Sequence, residues 1–263
     1  MTSRVQLDRS GPLATLWLDR PDKRNALDGA MMKELSAALD EIGGDRGVRV
    51  VVLRGRGPVF SSGIDHSLLL EVFGATQKSP FLHLHHQLQD VFHRIGRLHQ
   101  PVIAALHGAC VGMALELALA VDIRIATEDC VLGLPEIAFG LVPDVGGTTR
   151  LVRAVGEPRA RELILTGRML RARTAERYGL VHDVVAGDAL EARIASRVEQ
   201  IATHPETAVA LAKSLCQISA DADAASSFRI EGIVQQALLG QPDLMTRFPQ
   251  ALAFIKARVA DAE

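Results

Sequence analysis

Short apolar runs open the chain and set the first elements. Residues 5–9 and 13–18 carry the strand pattern, and Ser10-Gly11 between them reads as a hairpin turn. After the polar stretch Arg20-Pro21-Asp22-Lys23-Arg24-Asn25 the period becomes helical. Met31 or Met32, Leu35, Leu39 and Ile42 fall on one stripe, with Asp28 as N-cap and Gly43-Gly44 as the stop. Residues 48–53 form a nearly continuous β-branched run, the pattern of a strand buried on both faces. Leu84, Leu88, Val91 and Ile95 predict a second helix that stops before Pro101. Residues 102–106 predict another strand, an apolar helix follows from about Gly112, and residues 122–126 predict a further strand. Residues 67–80 carry little pattern and are expected to be mobile. Past residue 190 the strand signals vanish. Residues 192–201, 205–216, 225–239 and 250–260 read as helices, with Pro205, Gly240 and Pro249 as punctuation. Strands alternating with helices argue for an α/β core followed by a helical region, which we divide as 1–195 and 196–263.

Composition narrows the function classes. Of 263 residues 48% are apolar and 23% charged, the formal net charge is −2, and this is ordinary globular composition. The sequence pI near 6.5 gives no electrostatic footprint for nucleic acid. Residues 109–121, the longest apolar stretch, contain Glu116 and are too short to span a bilayer. The first residues lack the apolar core of a signal peptide, so the expected location is cytoplasmic. Cys110, Cys130 and Cys216 show no repeated spacing, and all three are expected to be buried reduced thiols.

The candidate chemistry centres on Gly112-Met113-Ala114-Leu115-Glu116-Leu117-Ala118, a carboxylate in an apolar helix with no basic residue within a turn. An unpartnered buried carboxylate costs several kcal/mol, so such a group neutralises or serves a function. Leu134-Pro135-Glu136-Ile137 places a second acid between apolar residues, and two such acids form the kind of pair that divides into acid and base. Two glycine turns follow strands: Ser61-Ser62-Gly63-Ile64-Asp65, and His107-Gly108 leading to Gly112-Met113. Turns of this kind can converge their N–H groups on one carbonyl oxygen, as an oxyanion hole. Gly55-Arg56-Gly57 leads into Pro58 rather than a helix and fails the dinucleotide fingerprint, and Val145-Gly146-Gly147-Thr148 lacks the lysine of a phosphate loop. His83, His85 and His86 lack a carboxylate or cysteine to complete a ligand set, so no metal site is expected.

Taken in order, these motifs resemble the enoyl-CoA hydratase/isomerase (crotonase) family. Arg20 to Leu27 is similar to its first loop, Phe60-Ser61-Ser62-Gly63-Ile64-Asp65 to its glycine turn, and Glu116-Leu117-Ala118, Leu134-Pro135-Glu136, Gly146-Gly147-Thr148 and Leu165-Thr166-Gly167 continue the match. The resemblance implies an α/β fold, a crotonase-like spiral of ββα units, with a helical C-terminal region that builds homo-trimers or hexamers. It implies an acyl-CoA thioester substrate and no separate cofactor, with oxyanion-hole amides at Ile64 and Met113. Glu116 and Glu136 fall at the two acid positions, and Lys23, Arg24, Ala26, Ser62, Gly63, Asp65, His66 and Gly112 line the substrate or CoA.

The implied reaction adds water to a trans-2-enoyl-CoA. Three departures bear on it. Met113-Ala114 replaces consecutive glycines, His66 replaces an aliphatic residue, and Asp144 stands where typical hydratases have glycine. An acid at position 144 resembles the dienoyl-CoA isomerase pattern, so isomerisation by Glu136 with Asp144 or Glu116 is the alternative. A helix N-cap is the structural reading of Asp144. A non-catalytic acyl-CoA binder is the alternative of another class.

Overall fold

A computed structural model describes residues 3–78 and 81–260. The chain divides into two compact units, Met1–His204 and Pro205–Glu263.

In the first unit a six-stranded sheet runs in the order β1 (Val5–Ser10), β2 (Leu13–Leu18), β3 (Val50–Gly55), β4 (Val102–Leu106), β6 (Ile123–Thr127) and β9 (Asp183–Val185). Only the β1–β2 hairpin is antiparallel. A smaller sheet joins β5 (Ala109–Val111), β7 (Val131–Gly133) and β8 (Leu170–Arg171), and Ser61 bridges to Cys110 at its edge. The β1–β2 pair lies wholly in the large sheet, whereas β4–β5 and β6–β7 each lay one strand in the large sheet and the next in the small one before helical chain follows. That is the ββα spiral.

The β-branched run of β3 is sided as a doubly covered strand must be. Val51 and Leu53 join the main core with Leu35 and Ile42 of α1 (Gly29–Gly44) and Ile95 of α3 (Phe81–Arg97). Val50 and Val52 face a second core with Ile103, Ile125, and Leu190 and Ile194 of α8 (Leu190–Ala202). Asp28 caps α1 as its sequence predicts, accepting from the Met31 N–H at 2.9 Å.

Two expectations change in this unit. Residues 66–78 form α2 (His66–Lys78), started where Asp65 accepts from the Ser67 N–H at 2.8 Å and anchored by buried Leu68. Residues 79–80, and the side chains of His83 and Leu84, lie outside the described residues. Asp144 is not a helix cap. The N-cap of α5 (Gly147–Val155) is Gly146, in the left-handed region at φ 95°, and no side chain caps it.

The second unit holds α9 (Glu206–Ser219), α10 (Ala224–Leu239) and α11 (Leu244–Ala260). Pro249 lies inside α11 rather than before it, so the last helix begins six residues earlier than the proline suggests. Cys216 on α9 is exposed, unlike Cys110 and Cys130, because no residue of α9 is buried. Among the described residues no helix is long and apolar enough to cross a membrane.

Candidate active site

Gly112 and Met113 are the hub of the site. Gly112 has φ 58° and ψ −130°, a conformation open to glycine, and turns the chain from β5 into α4 (Met113–Leu119). A Cβ on Gly112 would lie 3.0 Å from Glu136 Oε1, so this carboxylate packs against the bare α-carbon. A Cβ on Gly63, at φ 94°, would lie 2.5 Å from the Val111 carbonyl oxygen and 3.5 Å from the Met113 nitrogen. The first glycine turn is thereby pressed against the start of α4.

Both amides proposed for the hole are undonated. Leu27 bridges to Ile64 in parallel register through Leu27 N–H to Gly63 O and Asp65 N–H to Leu27 O. That pattern turns the N–H of Ile64 away from Leu27, and it meets no acceptor among the described residues. Met113 is the first residue of α4, so its N–H has no intrahelical partner, and none elsewhere among the described residues.

Every residue of α4 is buried, and Glu116 is 2% exposed. Its Oε1 accepts from the Val145 N–H at 3.0 Å and the Gly147 N–H at 2.8 Å. Gly147 must be glycine here, since a Cβ would sit 2.6 Å from the Glu116 Cγ. Burial first, then the charge of Glu136, push the Glu116 carboxyl up to about 8 against those two donors. Glu136 starts a 3-10 turn, Glu136–Phe139, and its Oε2 is buried with no hydrogen-bond partner among the described residues. Burial raises its pKa too, with the Asp144 charge adding to the effect. Two carboxyl groups in apolar surroundings, each with an oxygen no protein donor takes, can hold a water between them and exchange its protons.

Asp144 is half exposed and lies 3.4 Å from His85 Nε2. His85, weighed above for metal binding, thus serves this loop.

The remaining candidates sort by what holds them. Asp65 is a brace: burial pushes its carboxyl up, but the Ser67 hydroxyl and N–H and Arg20 at 2.9 Å outweigh this and hold it at about 2. Lys23, Arg24, Ser62 and His66 are exposed, and Ala26 is buried. Asn25 escaped notice as more than part of a motif, yet it is fully buried in the left-handed conformation. Its amide donates to Arg56 O, Val59 O and Phe60 O at 2.8, 2.9 and 3.1 Å, tying the first loop to the glycine turn. Val145, Gly147 and Gln89 also went unassigned. A cavity of about 870 Å³ lined by α1, α2 and α3 residues, among them Lys33, Glu71, His86 and Asp90, includes neither acid.

The enoyl-CoA hydratase/isomerase family profile matches residues 8–245 of the chain. The chain belongs to the enoyl-CoA hydratase/isomerase family. A Rhizobium meliloti relative named probable enoyl-CoA hydratase is 36% identical over 237 residues, 90% of each chain. An enoyl-CoA hydratase structure from Mycobacterium smegmatis superposes with a TM-score of 0.89 at 31% identity, covering 95% of this chain and 96% of that one. A Thermobifida fusca protein described as an enoyl-CoA hydratase, and solved in complex with acetoacetyl-CoA, gives 0.80 at 34% identity, covering 90% and 95%.

Proposed function

We propose that the protein is an enoyl-CoA hydratase acting on trans-2-enoyl-CoA thioesters. The observation that carries this is the grouping, around Gly112-Met113, of two undonated amides with buried Glu116 and half-buried Glu136, whose Oε2 meets no protein donor among the described residues. The thioester oxygen accepts from the Ile64 and Met113 N–H groups. Water held between Glu116 and Glu136 adds its oxygen to C3. The C2=C3 electrons move onto the thioester oxygen as an enolate, and C2 then takes a proton from Glu136. Glu116 accepts the proton that the water loses. Atoms balance without a redox step, so no cofactor is needed, and CoA stays on the product. Each amide donor to the developing charge is worth about 3 kcal/mol.

The exposed cations Lys23 and Arg24 suit CoA phosphates, with Ser62 and His66 exposed on the glycine-turn side. Ala26, Gly63 and Gly112 shape the walls, and Asp65 holds the turn through Arg20. Asp144 contributes negative charge beside the acid pair. The deciding experiment is incubation with crotonyl-CoA and longer 2-enoyl-CoAs. Formation of the 3-hydroxyacyl-CoA supports hydration, whereas shifted double bonds from dienoyl- or 3-enoyl-CoA with no hydration would make it an isomerase. Binding with no conversion would make it a carrier.

Acids that interact titrate as a pair, so one proton is retained at neutral pH. In the ligand-free site it rests on Glu116, the more deeply buried, and passing it to Glu136 through the water gives the ionisation that addition needs. The singly protonated pair is the active form. Above a pH of about 8 the last proton leaves, and kcat/KM is expected to fall about tenfold per pH unit. A profile still flat at high alkaline pH would contradict this.

The assembly we propose is a homo-trimer built through the second unit. Phe228, Ile233, Met245, Phe248 and Ile255 are all more than half exposed there, and large apolar side chains left in water support an interface between copies of the chain. Sedimentation should return three times the mass of one chain, and a monomer at micromolar concentration would rule the assembly out.

A further inference from the structure

One peptide plane links α3 to the buried acid. Gln89 Nε2 donates to the Asp144 carbonyl at 2.9 Å, and His85 Nε2, one turn earlier on α3, meets the same oxygen at 3.0 Å. A carbonyl only accepts, so His85 carries a proton on Nε2. The peptide from Asp144 to Val145 is trans, and the carbonyl and N–H of a trans peptide point in opposite directions. That N–H is the one donated to Glu116 Oε1 at 3.0 Å. At the next residue Arg150 Nη1 donates to the Val145 carbonyl at 3.0 Å, so the loop is gripped on both sides of this amide.

We infer that His85 and Gln89 are positioning residues of the hydration reaction, orienting the 144–145 peptide so that its N–H fixes Glu116 in place. This rests on the hydratase reading above. Neither residue touches the reacting atoms. They act through the backbone. The charged groups around the linkage are Glu136, Asp144 and Arg150 facing Glu116, and His85 facing Asp144.

The test is the double variant His85→Phe/Gln89→Leu, with His85→Gln as the conservative change that keeps a donor. The expected result is a fall in kcat on the order of tenfold to a hundredfold, with KM changed by less than about threefold. The alkaline limb of kcat/KM should move to higher pH, because Glu116 loses a donor that favours its charged form. His85→Gln should restore most of kcat. A second readout needs no turnover: carbon-13 titration of the Glu116 carboxyl, identified by its loss in Glu116→Gln, should move upward in the double variant. Wild-type kcat and an unmoved limb would overturn the inference, as would a fall in kcat with an unmoved carboxyl titration. Should the wild-type protein hydrate no 2-enoyl-CoA, the hydratase reading falls, yet the carboxyl titration still decides the positioning role. If the double variant fails to fold, Gln89→Leu alone is measured by the same two readouts.

Discussion

Glu116→Gln is expected to lower kcat for 2-enoyl-CoA hydration by about 10³-fold or more, within the range set by loss of a positioned acid–base group. The side chains have nearly the same shape. The carboxamide oxygen of the variant can still accept from the Val145 and Gly147 amides, which lie 3.0 and 2.8 Å from Oε1 in the wild-type protein. The fold and the water position therefore survive while the proton acceptor is gone. KM should stay within a few-fold, since the proposed CoA contacts at Lys23 and Arg24 lie outside the acid pair. With the acid raised to about 8 gone, the alkaline limb of the residual rate should shift to lower pH, where Glu136 alone loses the proton it must donate. Steady-state kinetics with crotonyl-CoA across pH measures both effects, and full hydration by this variant would remove Glu116 from the mechanism.

Gly63→Ala should damage stability and activity together. The residue has φ 94°, where a side chain is strained, and its Cβ would press on the Val111 carbonyl oxygen at 2.5 Å. Backbone strain and overpacking each cost about 1–3 kcal/mol. For a unit of this size even about 2 kcal/mol lowers Tm by at least about 4 °C. The adjacent Ile64 amide moves with the turn, so a loss of about 10²-fold in kcat accompanies the shift in melting. An alanine variant that melts like the wild type and turns over at full rate would show that the turn does not need this close approach.

What the sequence makes legible depends on how local the cause is. The stripe of α1 and its Asp28 cap, the doubly buried β3, and both acids inside apolar runs could all be read, because each rests on residues within a few positions. The short strands β5, β7 and β8 could not. They span two or three residues and exist only through pairing with distant chain. The same holds for α2, whose start depends on one Asx-type bond at Asp65, and for α11, which runs through Pro249. Glu116 was visible as an unsupported carboxylate, but its donors lie 29 and 31 residues further on. Asp144 offered a cap by sequence, and the structure gives that place to Gly146 while Asp144 meets His85, 59 residues away.

Asn25 has one more consequence. With its side chain fastened to three carbonyls, the segment bearing Lys23 and Arg24 is fixed as part of the folded scaffold, not as a flap that settles on an arriving nucleotide. The entropy of fixing that wall is met during folding, so capture of the thioester's carrier should proceed without a slow ordering step. Encounter and local charge would then set the association rate.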